Sequence, residues 1–204
     1  MLFREFNSNS NIRFLNALPS DFNVDIYANG KEIFNNLSFP KVTDYIEFTP
    51  GFYKFQLYKS SQFDSPLLTE NISLLQNSVT TIVIAYEDDK VSFFLLDDTS
   101  LNKNPLLAHV RFMNFSKNAP ILTLSLPDGI TLFEDTSYLE TTDYYPLSAG
   151  IYNFMVSSSN SSFVRYISDI NLKKKDFITI YIVGLFNRMP RIGYVLLNDG
   201  NFII

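Results

Sequence analysis

"NIRFLNALP" spans Asn11 to Pro19, and "HVRFMNFSK" spans His109 to Lys117. Both have a β-branched residue followed by Arg-Phe, one apolar residue and Asn. Ile12, Arg13, Phe14 and Asn16 match Val110, Arg111, Phe112 and Asn114 at an offset of 98. The register continues with one residue inserted: Gly30, Phe34, Ser38, Thr43, Asp44, Tyr45, Gly51, Tyr53 and Phe55 match Gly129, Phe133, Ser137, Thr142, Asp143, Tyr144, Gly150, Tyr152 and Phe154. It then returns to the first offset, where Ile72, Leu74, Thr81 and Ile82 match Ile170, Leu172, Thr179 and Ile180. The chain is two copies of one unit. A period of about 100 residues suits a whole domain rather than a solenoid repeat. Copy one is expected over 11–98 after an extension at 1–10, and copy two over 109–204. The stretch 99–108, set in "DDTSLNKNPLL", reads as a linker.

Local signals within each copy point to strands. In "FNVDIYANGKEIF", Val24 and Ile26 alternate with Asp25 and Tyr27, and Asn29-Gly30 offers the positive-φ pair of a tight hairpin. Copy two uses Asp128-Gly129 in "LTLSLPDGITLF". After the turns at Gly51 and Gly150, Tyr53 and Phe55, and likewise Tyr152 and Phe154, alternate with polar residues, as in strands with one wet face. "SVTTIVIAY" and "DFITIYIVG" are almost continuously β-branched or aromatic and read as central strands. They are closed by "KVSFFLLDD" and "RIGYVLLND". "FITIYIVGLF", Phe177 to Phe186, is too short to span a bilayer as a helix. About seven strands per copy and no amphipathic helix predict an all-β protein of two tandem antiparallel β-sandwich domains. A closed barrel is the alternative.

Composition agrees. Hydrophobic residues at 46% and charged residues at 18% support a packed core rather than wholesale disorder. The aromatic share of 16% favours strands. A net charge of −5 argues against nucleic acid and anionic lipid as partners. With no cysteine, disulfides, zinc thiolates and cysteine nucleophiles are excluded. "MLFREFNSNSN" lacks the apolar core of a secretory signal. Synthesis in the cytoplasm is therefore expected, with deposition on a spore or cell envelope as the accompanying expectation.

"RFLNALP", "VDIYANGKEIF" and "LSFPKVTDYIEFTPGFYKFQL" resemble the DUF 4397 family, a domain of unknown function met in bacteria and archaea. The resemblance covers copy one almost completely. Copy two departs from it, with "LTLS" in place of "VDIY" and "NFSK" in place of "NALP". It implies tandem immunoglobulin-like sandwiches, often in envelope-associated or exported proteins, and no catalytic residue.

Candidates for chemistry are few. His109 is the only histidine and no Gly-x-Ser-x-Gly elbow accompanies it, so it reads as a solvated strand-end residue. Glu87, Asp88-Asp89 and Asp97-Asp98 lack a calcium-loop pattern and read as solvated turns. Asp44 and Asp143, in the repeated Thr-Asp-Tyr, read as turn formers. Arg13 and Arg111 alternate with apolar neighbours and are expected to point outward or cap a sheet edge. Sugar binding requires exposed aromatic platforms. Tryptophan is absent, which leaves Tyr27, Tyr45 and Tyr58 as candidates. No catalytic, cofactor-binding or metal-binding residue is assigned, and no cofactor is expected. The sequence points to a non-enzymatic structural or protein-interaction protein of a bacterial envelope or spore layer. It would work through sandwich surfaces and sheet edges, with protein partners and self-association expected and no membrane span. A binding module for glycan or peptide is the alternative.

Overall fold

A computed structural model describes residues 9–99 and 104–200. The expected linker is therefore described only in part, since 100–103 lie outside those residues, as does most of the expected N-terminal extension. The chain divides into two compact units, one ending at Thr99 and the other holding the described residues from Asn104 onward. Every described element is a strand, and no described helix is long and apolar enough to cross a membrane.

The first unit has eight strands: β1 (Ser10–Asn16), β2 (Val24–Ala28), β3 (Lys31–Leu37), β4 (Ile46–Phe48), β5 (Gly51–Lys59), β6 (Leu68–Leu74), β7 (Val79–Glu87) and β8 (Lys90–Asp97). One sheet has the order β4-β1-β7-β8 and the other β3-β2-β5-β6. The second unit repeats this with β9 (Ala108–Asn114), β10 (Leu122–Ser125), β11 (Thr131–Thr136), β12 (Tyr145–Leu147), β13 (Gly150–Ser157), β14 (Val164–Leu172), β15 (Phe177–Val183) and β16 (Gly193–Asn198). Its sheets run β12-β9-β15-β16 and β11-β10-β13-β14. The protein is all-β, with two sandwich-like domains of open four-stranded sheets rather than a barrel. Eight strands per unit replace the expected seven. The three-residue strands β4 and β12 are too short for alternation to reveal.

Between strands, antiparallel pairing holds except in one place per unit. β1 runs parallel to β7, with Arg13 opposite Thr81, and β9 runs parallel to β15, with Arg111 opposite Thr179. Parallel neighbours need a long crossover, and here the second sheet's strands lie along it. The first two strands thus sit in different sheets. Constant-type immunoglobulin domains instead place strands one, two, five and four together.

Hairpin chemistry follows the sequence. Asn29 and Gly30 both take positive φ, at 49° and 79°, as a type I′ turn requires. Asp88 and Asp89 do the same at 46° and 64° between β7 and β8, where Glu87 pairs with Lys90. The acidic run Glu87 to Asp89 is therefore a hairpin turn.

The core of each unit lies between its two sheets. In the first, Ile12, Phe14, Ile82 and Ile84 of one sheet meet Val24, Ile26, Phe55 and Leu57 of the other. The Phe14 and Phe55 rings, 5.8 Å apart, cross that boundary. In the second, Val110, Phe112, Ile178 and Ile180 meet Leu122, Leu124, Phe154 and Val156. All seven residues of β15 are buried, in keeping with a central strand. Burying one such side chain contributes roughly 1.5–3 kcal/mol. Tyr53 and Tyr152 are only half-buried. Each phenol reaches back to a carbonyl at 3.0 Å, on Thr49 and Ser148 respectively, so the hydroxyl stays at the rim while the ring packs.

Candidate functional site

The repeated residues converge on one cluster per unit. Arg13 on β1 and Thr81 on β7 are register partners, and the Arg13 Nε donates to the Thr81 hydroxyl at 2.8 Å. Asp98, just past β8, accepts a hydrogen bond from Thr81 and another from the Tyr45 phenol at 2.8 Å. It stands 3.7 Å from the Arg13 guanidinium. That guanidinium lies over the Tyr45 ring. In the second unit Arg111 donates to Thr179 at 2.9 Å, Thr179 and Tyr144 donate to Asp199 at 2.6 and 2.8 Å, and Arg111 stands 3.8 Å from Asp199. Both arginines are about 5% exposed and both aspartates fully buried.

Four sequence expectations are corrected here. Arg13 and Arg111 do not point outward. A charge is tolerated inside only where partners meet it, and a carboxylate, a hydroxyl and an aromatic face meet each of these two. Asp98 is not part of a solvated turn: it is the anion of the cluster, while its neighbour Asp97 is exposed and accepts from the Thr99 amide at 2.8 Å. Tyr45 does not offer an exposed platform, because its ring covers Arg13. Its phenol is pushed well above the usual tyrosine range, first by burial and then by the Asp98 charge, against the opposing pull of Arg13. His109 is not a solvated strand end. It is 3% exposed and stacks on its register partner Phe177 at 4.6 Å, with 8° between the rings.

The Thr-Asp-Tyr repeat is now explained by its outer members. The Thr43 hydroxyl accepts from the Phe14 amide at 2.9 Å and Thr142 accepts from Phe112 at 3.1 Å, which ties each loop to the first strand. Tyr45 and Tyr144 enter the clusters, and Asp44 and Asp143 stay exposed. In the opening motif, Phe fills the core and Asn joins the sheets. Asn16 donates to the Leu37 carbonyl at 2.9 Å and accepts from the Leu18 amide at 3.0 Å. Asn114 does the same with Thr136 and Ser116. These side chains hold the frame.

Surfaces differ between the copies. In the first unit Tyr27, Tyr58 and Phe63 form a cluster, with ring centres 5.3 to 6.2 Å apart and planes inclined by 53° to 73°. Glu32 accepts from the Tyr27 phenol at 3.0 Å, and Gln56 donates to Tyr58 at 3.0 Å. The inclined rings do not make one flat platform. Copy two has Ser125 and Ser157 where the register puts Tyr27 and Tyr58. In the second unit a cleft of about 570 Å³ opens beside the start of β14. Arg165, Arg188 and Arg191 line it together with Val164, Met189 and Ile192. No sequence reading singled out these arginines. The signal was "GLFNRMPRIG", which stands where copy one has the tight acidic turn.

A duplicated all-β frame, braced by one buried Arg-Thr-Tyr-Asp cluster per unit, thus carries a different surface on each copy. The chain belongs to the family described as Domain of unknown function (DUF4397), which matches residues 10–125. That match takes in all of β1 to β8 and continues through β9 and β10. Among curated proteins no match to the chain was found.

Proposed function

We propose that the protein is a non-enzymatic interaction module, a structural or protein-binding component of a bacterial envelope or spore layer. The observation that carries this reading is the division of labour between repeated and unrepeated residues. Arg, Thr, Tyr, Asp and Asn recur in both copies and are used up in mutual bracing. What differs lies outside: an aromatic cluster on one unit and an arginine-lined cleft on the other. Large apolar side chains also stand in solvent at matching positions, Phe52 at 84% and Ile151 at 72% exposure. Exposed apolar surface and free sheet edges are the usual means of protein contact.

The immunoglobulin-like kinship enters this proposal as a mode of use, a rigid sandwich that displays loops and edges, on a strand order of its own. The envelope or spore setting is supported by the family resemblance and by a composition rich in Asn, Ile and Phe. Light scattering over a concentration series, with capture from fractionated envelope and spore extracts, tests the reading. Assembly, or retention of a defined protein partner, is expected. A strictly monomeric protein that captures none, yet turns over a substrate, overturns it.

A second reading, glycan binding, would use the single exposed ring of Phe63 as its stacking face, beside Tyr27 and Tyr58 and the polar groups of Glu32 and Gln56 bonded to them. Titration with neutral oligosaccharides, read by tyrosine fluorescence, tests it. Loss of the response in Phe63→Ala is expected.

A further inference from the structure

We infer that the arginine-lined cleft of the second unit binds an extended acidic segment of a protein partner, seated against the free edge of β14. This rests on the interaction-module reading and assigns it a surface and a ligand chemistry.

The cleft arises where the copies diverge. In the first unit β7 and β8 are joined by the turn Asp88-Asp89. In the second, β15 and β16 close on the pair Val183–Gly193, and Gly184 to Ile192 fill the gap. An acidic turn has been replaced by a loop carrying Arg188 and Arg191. Arg165, from the start of β14, faces the same cleft. No carboxylate lines it, and none of the three guanidinium groups has a hydrogen bond or ion pair among the described residues. In a chain of net charge −5, three arginines around one cleft form a local field of the opposite sign. Their planar forks suit carboxylates.

The loop is held in shape. The Leu185 amide donates to the Pro190 carbonyl at 2.8 Å and the Ile192 amide to the Leu185 carbonyl at 2.9 Å. Asn118 brackets Phe186, donating to its carbonyl at 2.8 Å and accepting from its amide at 2.7 Å. The Phe186 ring packs edge-on against Phe163 at 5.9 Å. A braced loop loses little freedom on binding.

The ligand's shape follows from the strand. β14 is the outer strand of its sheet, so its far edge pairs with nothing among the described residues. Val164 at 50% and Met189 at 75% exposure place apolar contacts between the charges. An extended segment that alternates carboxylates with apolar residues fits both features.

The test uses the full chain and a fluorescein-labelled peptide of four Glu-Val repeats, with Gln-Val and Lys-Val peptides as comparisons, read by anisotropy at low salt. The Glu-Val peptide should bind about tenfold or more tighter than Gln-Val and lose most of that margin as salt screens the charges. R188E/R191E should lose about tenfold for Glu-Val and gain affinity for Lys-Val, with its melting temperature held. Asn118→Ala, which removes no charge, should weaken Glu-Val binding by releasing the loop. Equal binding of Glu-Val and Gln-Val overturns the inference, as does unchanged affinity in R188E/R191E. Inorganic phosphate binding as tightly as the peptide would mark a small-anion site and also overturn it. If the protein assembles in light scattering while the peptide fails, the cleft assignment falls and the interaction-module reading stands.

Discussion

The Arg13 guanidinium lies 4.5 Å from the centre of the Tyr45 ring, and Arg111 lies at the same 4.5 Å from Tyr144. Each tyrosine plays two parts: its face covers the cation and its hydroxyl donates to the aspartate that balances that cation. The loop carrying Tyr45, the first strand, the central strand and the end of β8 are tied at one point. The same tie recurs in the second unit.

That arrangement predicts a large asymmetry between single and joint substitutions. Asp98→Ala leaves the buried Arg13 without its anion and should destabilise the first unit by about 3–5 kcal/mol. Arg13→Met combined with Asp98→Leu removes both charges and should cost much less than Asp98→Ala alone. Urea denaturation of the three proteins checks this. A double variant as unstable as Asp98→Ala would show that the charges themselves hold the tie.

Phe55 and Phe154 are each fully buried at the centre of their units. Phe55→Ala and Phe154→Ala should each cost roughly 3–5 kcal/mol. Tyr152→Phe retains the ring and loses one rim hydrogen bond, to Ser148, and Tyr53→Phe loses two, to the carbonyl and hydroxyl of Thr49, a cost of about 1 kcal/mol per bond. Thermal unfolding followed by circular dichroism separates the two classes.

Much of this frame was legible in the sequence, because period-two alternation and turn chemistry act over a few residues. Phe55, Phe154, the Asn29-Gly30 turn and the central strand β15 all follow from such local rules. The buried clusters were not legible, because their members come from four separate parts of each copy and burial of a charge depends on what arrives from elsewhere. Asp98 and Asp199 escaped the repeat alignment for a definite reason: the longer loop after β15 shifts the register beyond Ile180, although Leu95-Leu96-Asp97-Asp98 and Leu196-Leu197-Asn198-Asp199 preserve the signal. The cleft was hidden differently, since its arginines occur in one copy only and a search for repeats discards them.

Tyr45 gives the first unit a defined response to alkali. Its folded value is raised, so the native state holds the phenolic proton more tightly than the unfolded chain does. The resulting stability is fully present below about pH 10, the ordinary tyrosine value, and is lost as the pH climbs above it. In an ultraviolet phenolate titration, the difference between wild type and Tyr45→Phe should appear only as the unit unfolds. A difference signal near pH 10 in the folded protein would contradict the placement of Tyr45.

Gly184 and Gly30 both sit at positive φ, but for different reasons, and substitution separates them. Gly30, at 79°, has open space where a Cβ would stand. Gly30→Ala should therefore cost only the backbone conformation, about 1 kcal/mol. Gly30→Asn should cost less, because asparagine tolerates the left-handed region. Gly184, at 92°, would place a Cβ 2.5 Å from the Arg191 carbonyl oxygen. The obstacle is backbone, held by the same loop bonds that shape the cleft. Asparagine gives no relief there, and Gly184→Ala and Gly184→Asn should both cost about 2–4 kcal/mol. Melting temperatures of the four variants check the contrast. Rescue at position 184 by asparagine would mean that conformation alone, and not the close approach of Arg191, requires glycine.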